Sequence, residues 1–139
     1  MKNLLSIILI FILQASYSQE IRWEQCSGWH LYKTSDKREN AFPADSLYKI
    51  KNIFLNDDSV KYYLKSAASW PKDKTMLWMG FFILSCSDNA KKLHKVDVSL
   101  YGGFFFDEVG QRYYEIQKEK QDAWLQYLND NMQRFAESN

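Results

Sequence analysis

Residues 76–86 read Met-Leu-Trp-Met-Gly-Phe-Phe-Ile-Leu-Ser-Cys, and they decide the fold. The run is almost wholly apolar and rich in rings. Lys72-Asp73-Lys74-Thr75 precedes it and Ser87-Asp88-Asn89 follows it. A run this short cannot span a bilayer, which takes about 20 apolar residues. A short apolar run bounded by turn residues reads instead as a central strand buried on both faces.

The pattern changes on the C-terminal side. From His94 to Leu100 apolar and polar residues alternate: Val96, Val98 and Leu100 share one face, and Lys95, Asp97 and Ser99 the other. That is the period of a half-buried strand. Gly102-Gly103 punctuates the chain, Phe104 to Phe106 makes a short strand, Asp107 to Gly110 a turn and Arg112 to Ile116 a returning strand. Strands at hairpin spacing pair antiparallel. A helix from about Lys118 to Ala136 closes the chain, with Trp124, Leu125, Leu128, Met132 and Phe135 as its apolar stripe.

Working towards the N-terminus, Trp70-Pro71 stops a helix, because a residue before proline avoids helical backbone angles. That helix carries Val60, Tyr63, Leu64 and Ala67 on one face, with Asp57 or Asp58 as its cap. Another helix is expected from Asp45, through Leu47, Ile50 and Phe54. Thr34 to Asn40 is polar and reads as a loop ended by Pro43. Ile21, Trp23, Trp29 and Leu31 suggest a strand or broken hairpin around Ser27-Gly28. Helices grouped apart from the strands point to α+β. The expected architecture is an antiparallel sheet of about four to six strands, with two helices from the N-terminal half and one long C-terminal helix packed on it.

The first residues read as an export signal. Lys2 is followed by Leu4–Leu13, apolar except for Ser6, and then by the polar, small-residue segment Gln14-Ala15-Ser16-Tyr17-Ser18. Such a pattern marks a cleavable signal peptide, with the cut before Gln19. Residues 1–18 are therefore read as signal peptide and 19–139 as a single globular α+β domain, secreted or periplasmic. Trp23-Glu24-Gln25 before Cys26 does not suit a lipid-attachment site, and no membrane insertion is expected after cleavage.

The whole chain has a formal charge of +1, which becomes zero without Lys2. A neutral, mixed surface offers no attraction for nucleic acid or anionic lipid. The 5 Trp, 9 Tyr and 9 Phe give a small domain much ring area to bury.

Cys26 and Cys86 are the only cysteines. In an oxidising compartment a disulfide is the default. It would close a loop of about 60 residues and stabilise by roughly 4 kcal/mol in the chain-entropy model. A metal site from Cys26, His30, Cys86 and His94 matches no common zinc spacing. A Cys–His nucleophilic pair has no local signal and would be excluded by a bridge. Asp57-Asp58 and Asp107-Glu108 suit caps and turns better than paired catalytic carboxylates.

Tyr101-Gly102-Gly103-Phe104 is the most distinctive segment, since two glycines allow a bend or a close approach. Tyr101, Gly102, Gly103 and Phe104, with His94, are the candidate ligand or partner contacts. No catalytic residue, metal ligand or cofactor is assigned. The expected function is a non-catalytic module that binds another extracytoplasmic protein, in the manner of an inhibitor or immunity protein. One alternative is a glycan- or peptidoglycan-binding domain using exposed rings. The other is a small hydrolase with an unrecognised site.

Overall fold

The computed structural model describes residues 22–32, 47, 49–76 and 81–137. A 3-10 turn at Trp23–Gln25 leads into β1 (Ser27–Tyr32) and β2 (Asn52–Phe54). Then come α1 (Asp57–Leu64), β3 (Ala68–Ser69), β4 (Phe81–Ser87), β5 (Leu93–Ser99), β6 (Phe104–Asp107), β7 (Arg112–Glu115) and α2 (Lys118–Glu137). The seven strands form one sheet in the order β2-β1-β4-β5-β6-β7-β3, antiparallel throughout.

The α+β class and the C-terminal helix agree with the expectation. The counts do not: the described residues hold seven strands rather than four to six, and two α-helices rather than three. Three local readings change with them. The helix expected through Leu47, Ile50 and Phe54 gives way to β2, where Ile53 pairs with Leu31 and Phe54 with His30. Three apolar points at helical spacing are a weak signal, and the open edge of β1 supplied backbone partners that a helix would have forgone. The stretch around Trp23 is a 3-10 turn, not a strand. Ala68 and Ser69, which the helical reading ran towards, leave α1 at Leu64 and pair with β7.

The apolar run forms its strand over Phe81–Ser87, between β1 and β5. Its N-terminal part at 77–80, including the Trp78 expected in the core, lies outside the described residues, as do the export signal and the Asp45 cap. Phe82, Leu84 and Cys86 face one side of the sheet, with Val96 and Val98 of β5. Val60 and Leu64 from α1 and Trp124 and Leu128 from α2 join the same buried cluster. Both helices therefore cover this one face. Fully burying side chains of this size stabilises by about 1.5–3 kcal/mol each, before chain entropy is set against it.

Asn56, rather than either aspartate, caps α1: its side chain accepts from Ser59 N at 2.9 Å. Asp57 is left to reach β1, where its two carboxylate oxygens accept the backbone N–H groups of Gly28 and Trp29, each at 3.2 Å. The pairing of β1 with β4 shifts register between Ser27 and His30, and Gly28 sits there at φ +66°. The bulge leaves amides without ladder partners, and the helix start supplies the acceptor.

On the other side of the sheet Tyr32, Leu47 and Ile83 form a smaller buried cluster, with Ile50 against it. Among the described residues no helix is long and apolar enough to cross a membrane.

Candidate functional site

The sheet carries chemistry in three places: the β5–β6 turn, the buried start of β5, and the face away from the helices.

The β5–β6 turn exposes Leu100 by 39% and Tyr101 by 64%. Ser99 holds it from both sides, because its Oγ donates to Tyr101 O at 2.8 Å and accepts from Tyr101 N at 3.1 Å. Gly102 has φ +70°, where a side chain would be strained. Gly103 is wedged on α2: a Cβ there would lie 2.6 Å from Gln121 Cγ and 2.9 Å from Ile116 Cβ. Ile116 N closes the turn by donating to Gly103 O at 2.8 Å. Phe104 is half-buried and meets the Trp70 ring edge-on at 5.3 Å. The double glycine thus fixes the turn against the C-terminal helix, with Leu100 and Tyr101 displayed to solvent.

His94 lies elsewhere. It is the second residue of β5, at the far end of that strand from the turn, and the residue is 5% exposed. Nδ1 is 3.2 Å from Asp107 Oδ1, and Nε2 is 3.0 Å from Asp88 Oδ2. Asp107 is fully buried and also accepts from Val109 N and Gly110 N, which builds the β6–β7 turn. Burial opposes charge on His94, but the hydrogen bonds to Asp107 and Asp88 outweigh it and raise its pKa above the ordinary histidine value. The hydrogen bond from His94 is the main cause of a lowered Asp88 pKa. An imidazolium donating from both nitrogens has no lone pair for a substrate proton or a metal.

Cys86 is the cross-strand partner of His94. Its thiol hydrogen-bonds to Cys26, and both cysteines are fully buried. They are free thiols here, so the expected bridge is present as a juxtaposition and not as a bond. Burial and the adjoining Cys26 push the Cys86 thiol pKa up, which suppresses the thiolate a nucleophile needs. His30 is on the opposite face, where it bonds Asn52 Oδ1 at 2.9 Å, so the two cysteines and two histidines do not converge. Among the described residues no cluster of His, Cys, Asp and Glu could hold a metal.

The third place was not legible in the sequence. Lys95 and Asp97 point to the face away from the helices, one residue out of phase with His94 and Val96. Lys95 is buried and donates to Glu108, with Asp97 Oδ1 at 3.6 Å. Burial drives the Asp97 carboxyl up to about 7, with Lys95 opposing and Glu108 adding to the shift. Nearby on β4 and β1, Ser85 and Tyr32 share a buried hydrogen bond of 2.8 Å. The alternation at 94–100 showed which residues share a face. It could not show that the polar face would also be buried.

Beyond this cluster is a cavity of about 230 Å³ between the β6–β7 hairpin and the loop that follows β3. Phe106 and Tyr113 form one wall, with ring centroids 4.6 Å apart. Lys72, Lys74 and Arg112 bring three cations to its lining.

Comparison of the chain with protein-family models, curated proteins and solved structures finds no match. Function rests on this geometry alone.

Proposed function

We propose that this chain is an exported, non-catalytic domain that binds another extracytoplasmic protein through the β5–β6 turn. The observation carrying the reading is the contrast within that turn: Leu100 and Tyr101 are exposed, while the backbone beneath them is fixed by Ser99 and by Gly103 against Gln121. A rigid, exposed aromatic loses little conformational entropy on binding, and tyrosine is enriched among interface hot spots. The two groups nearest to catalytic use support the non-catalytic part, since His94 is held by two carboxylates and the Cys86 thiol is kept protonated by burial. Export rests on the pattern of residues 1–18, and carries with it an oxidised Cys26–Cys86 pair.

The test is capture from the producing organism's envelope fraction with wild-type protein and with Tyr101→Ala. A protein held by the wild type and lost with the variant, at unchanged thermal stability, supports the reading. Equal capture by both moves the contact off the turn. Retention on peptidoglycan in place of any protein replaces the reading with the glycan one.

A further inference from the structure

We propose that the β4–β5 turn is a latch worked by the proton on His94 Nε2. With that proton in place, Asp88 is held against the ring and the turn is closed. Without it, Asp88 swings to solvent and the turn loosens, while the Asp107 side of the ring stays bonded. The device lies at the opposite end of β5 from the Tyr101 turn and does not rest on the binding role of that turn.

Each ring nitrogen of His94 faces a carboxylate oxygen. Nδ1 is 3.2 Å from Asp107 Oδ1, and Nε2 is 3.0 Å from Asp88 Oδ2. Carboxylate oxygens only accept, so both contacts need an N–H, and only the imidazolium supplies two. Burial opposes its charge, but the hydrogen bonds to Asp107 and Asp88 outweigh burial and hold the second proton above the ordinary histidine range. The Cys86 thiol on β4 and the Cys26 thiol before β1 also face the ring. Arg112 on β7 is the register partner of Asp107. Asp57 of α1 is committed to the Gly28 and Trp29 amides, and Lys95 and Glu108 pair on the other face of the sheet. Lys91 and Lys92, on the turn itself, are exposed.

Once neutral, the ring has one N–H to share between two unequal sides. The Asp107 side chain is 1% exposed, and its oxygens also accept from Val109 N and Gly110 N. A ring lone pair turned on that carboxylate would be buried with it. The Asp88 side chain is 25% exposed, and rotation takes its charge into water. The remaining hydrogen therefore stays on Nδ1, and the Nε2 lone pair repels Asp88.

Asp88 builds the turn with the same carboxylate. Its Oδ1 accepts from Lys92 N at 2.9 Å. Lys91 N donates to Asp88 O at 2.9 Å, and Asp88 N to Lys92 O at 3.0 Å. Lys91 sits at φ +60°, a conformation that a lysine holds only under constraint. When Asp88 leaves, Lys92 N loses its acceptor and the strained turn loses the side chain that braces it. Ser87 and Leu93 are the last register pair of β4 and β5, so the release is confined to residues 88–92.

The experiment is NMR of purified protein, expressed from the whole chain, between about pH 5.5 and pH 9.5. It reads the His94 ring nitrogens and the water exchange of single amides, expressed as protection factors to remove the intrinsic rise of exchange with pH. Above the His94 transition the ring should carry its hydrogen on Nδ1. The Lys92 amide should lose about tenfold in protection, the scale of one hydrogen bond to a charged acceptor. Val109, Gly110 and the core amide of Val98 should keep theirs. Asp88→Asn should abolish the Lys92 change, because asparagine accepts from Lys92 N and donates to a neutral Nε2. In that variant His94 should also titrate at lower pH. A hydrogen on Nε2 above the transition, or protection lost at Val109 and Gly110 but kept at Lys92, places the release on the wrong side and overturns the latch. Equal loss at Val98 overturns it in favour of general unfolding. An unchanged Lys92 amide, a ring that does not titrate in this range, or a pH-dependent turn that persists in Asp88→Asn overturns it as well.

Discussion

His94 Nδ1 lies 3.2 Å from Asp107 Oδ1 inside the core, with Asp88 on the other ring nitrogen at 3.0 Å. This clamp makes stability depend on pH in a definite direction. The folded-state pKa of His94 is raised, so its contribution is fully present below the unfolded value of about 6.5 and is lost as pH rises through the folded value. Asp88 acts oppositely: its pKa is lowered, so its contribution is present above the ordinary carboxylate value and is lost as pH falls through the folded one. Denaturant titrations should therefore find the protein less stable at about pH 9 than at about pH 6, by a margin that His94→Leu reduces. At about pH 6 that variant should lose about 3–5 kcal/mol, because it leaves Asp107 buried beside an apolar group. A pH-independent stability between those two points would break the assignment of charge to His94.

Asp97 reinforces the trend from the other face of the sheet. Its folded pKa of about 7 is above the unfolded value of 3.8, so the folded state binds the extra proton between them. Stability falls as pH rises through that window, and the cost persists above it. Asp97→Asn should remove the cost while Lys95 keeps Glu108 as a partner. The expected gain at about pH 8 is about 1–3 kcal/mol, vanishing at about pH 4. A loss of stability at pH 8 would mean that the Lys95 ammonium depends on Asp97 more than on Glu108.

These two networks show how far the sequence could be read. Asp107 and Glu108 are adjacent and were legible as a turn, and Asp107 does accept the turn amides of Val109 and Gly110. Their side chains nevertheless serve different networks, Asp107 reaching His94 and Glu108 reaching Lys95. Local alternation separates the two faces but names no partner 13 residues away. The meander from β4 to β7 was legible because each strand pairs with its sequence neighbour. β2 was not, because its pairing with β1 is decided by an edge more than 20 residues earlier, and its Phe54 is 64% exposed. An exposed phenylalanine imitates the apolar stripe of a helix. The cavity was invisible for the same reason, since the Lys72–Thr75 loop and the Phe106–Tyr113 pair meet only through tertiary contact.

Trp124 tests the docking of α2. It is fully buried and stacks near Tyr63 and Tyr127, while its indole N–H finds no acceptor among the described residues. Trp124→Ala should cost about 3–5 kcal/mol, the range for deleting a large buried ring. Trp124→Phe should cost much less, about 1–2 kcal/mol, because the lost volume is partly offset by removing an unsatisfied donor. Equal losses for the two variants would show that the indole N–H has a partner in solution.

The buried cysteine pair gives the most direct test of compartment. Cys26 directly precedes β1, and Cys86 lies next to the end of β4. Ser27 and Ser87, one residue beyond each, are register partners. The two thiols are therefore brought next to each other by strand pairing. Oxidation removes one proton and one electron from each sulfur and forms one S–S bond. The two electrons pass to a disulfide-bearing oxidoreductase or to oxidised glutathione, which is reduced to its thiols. Because both groups are fully buried, the step belongs to folding, before β1 and α1 close over them. Thiol titration of denatured, unreduced protein recovered from an envelope or secreted fraction should find no free thiol. The same chain made in a reducing cytoplasm should show two. Reduction should lower stability by up to about 4 kcal/mol, the loop-closure value for a segment of this length. Double substitution of Cys26 and Cys86 by serine would bury two hydroxyls, so double alanine is the cleaner reference, and its stability should match the reduced form more closely than the oxidised one. Two free thiols in material exported through an oxidising compartment would remove both the bridge and its support for export.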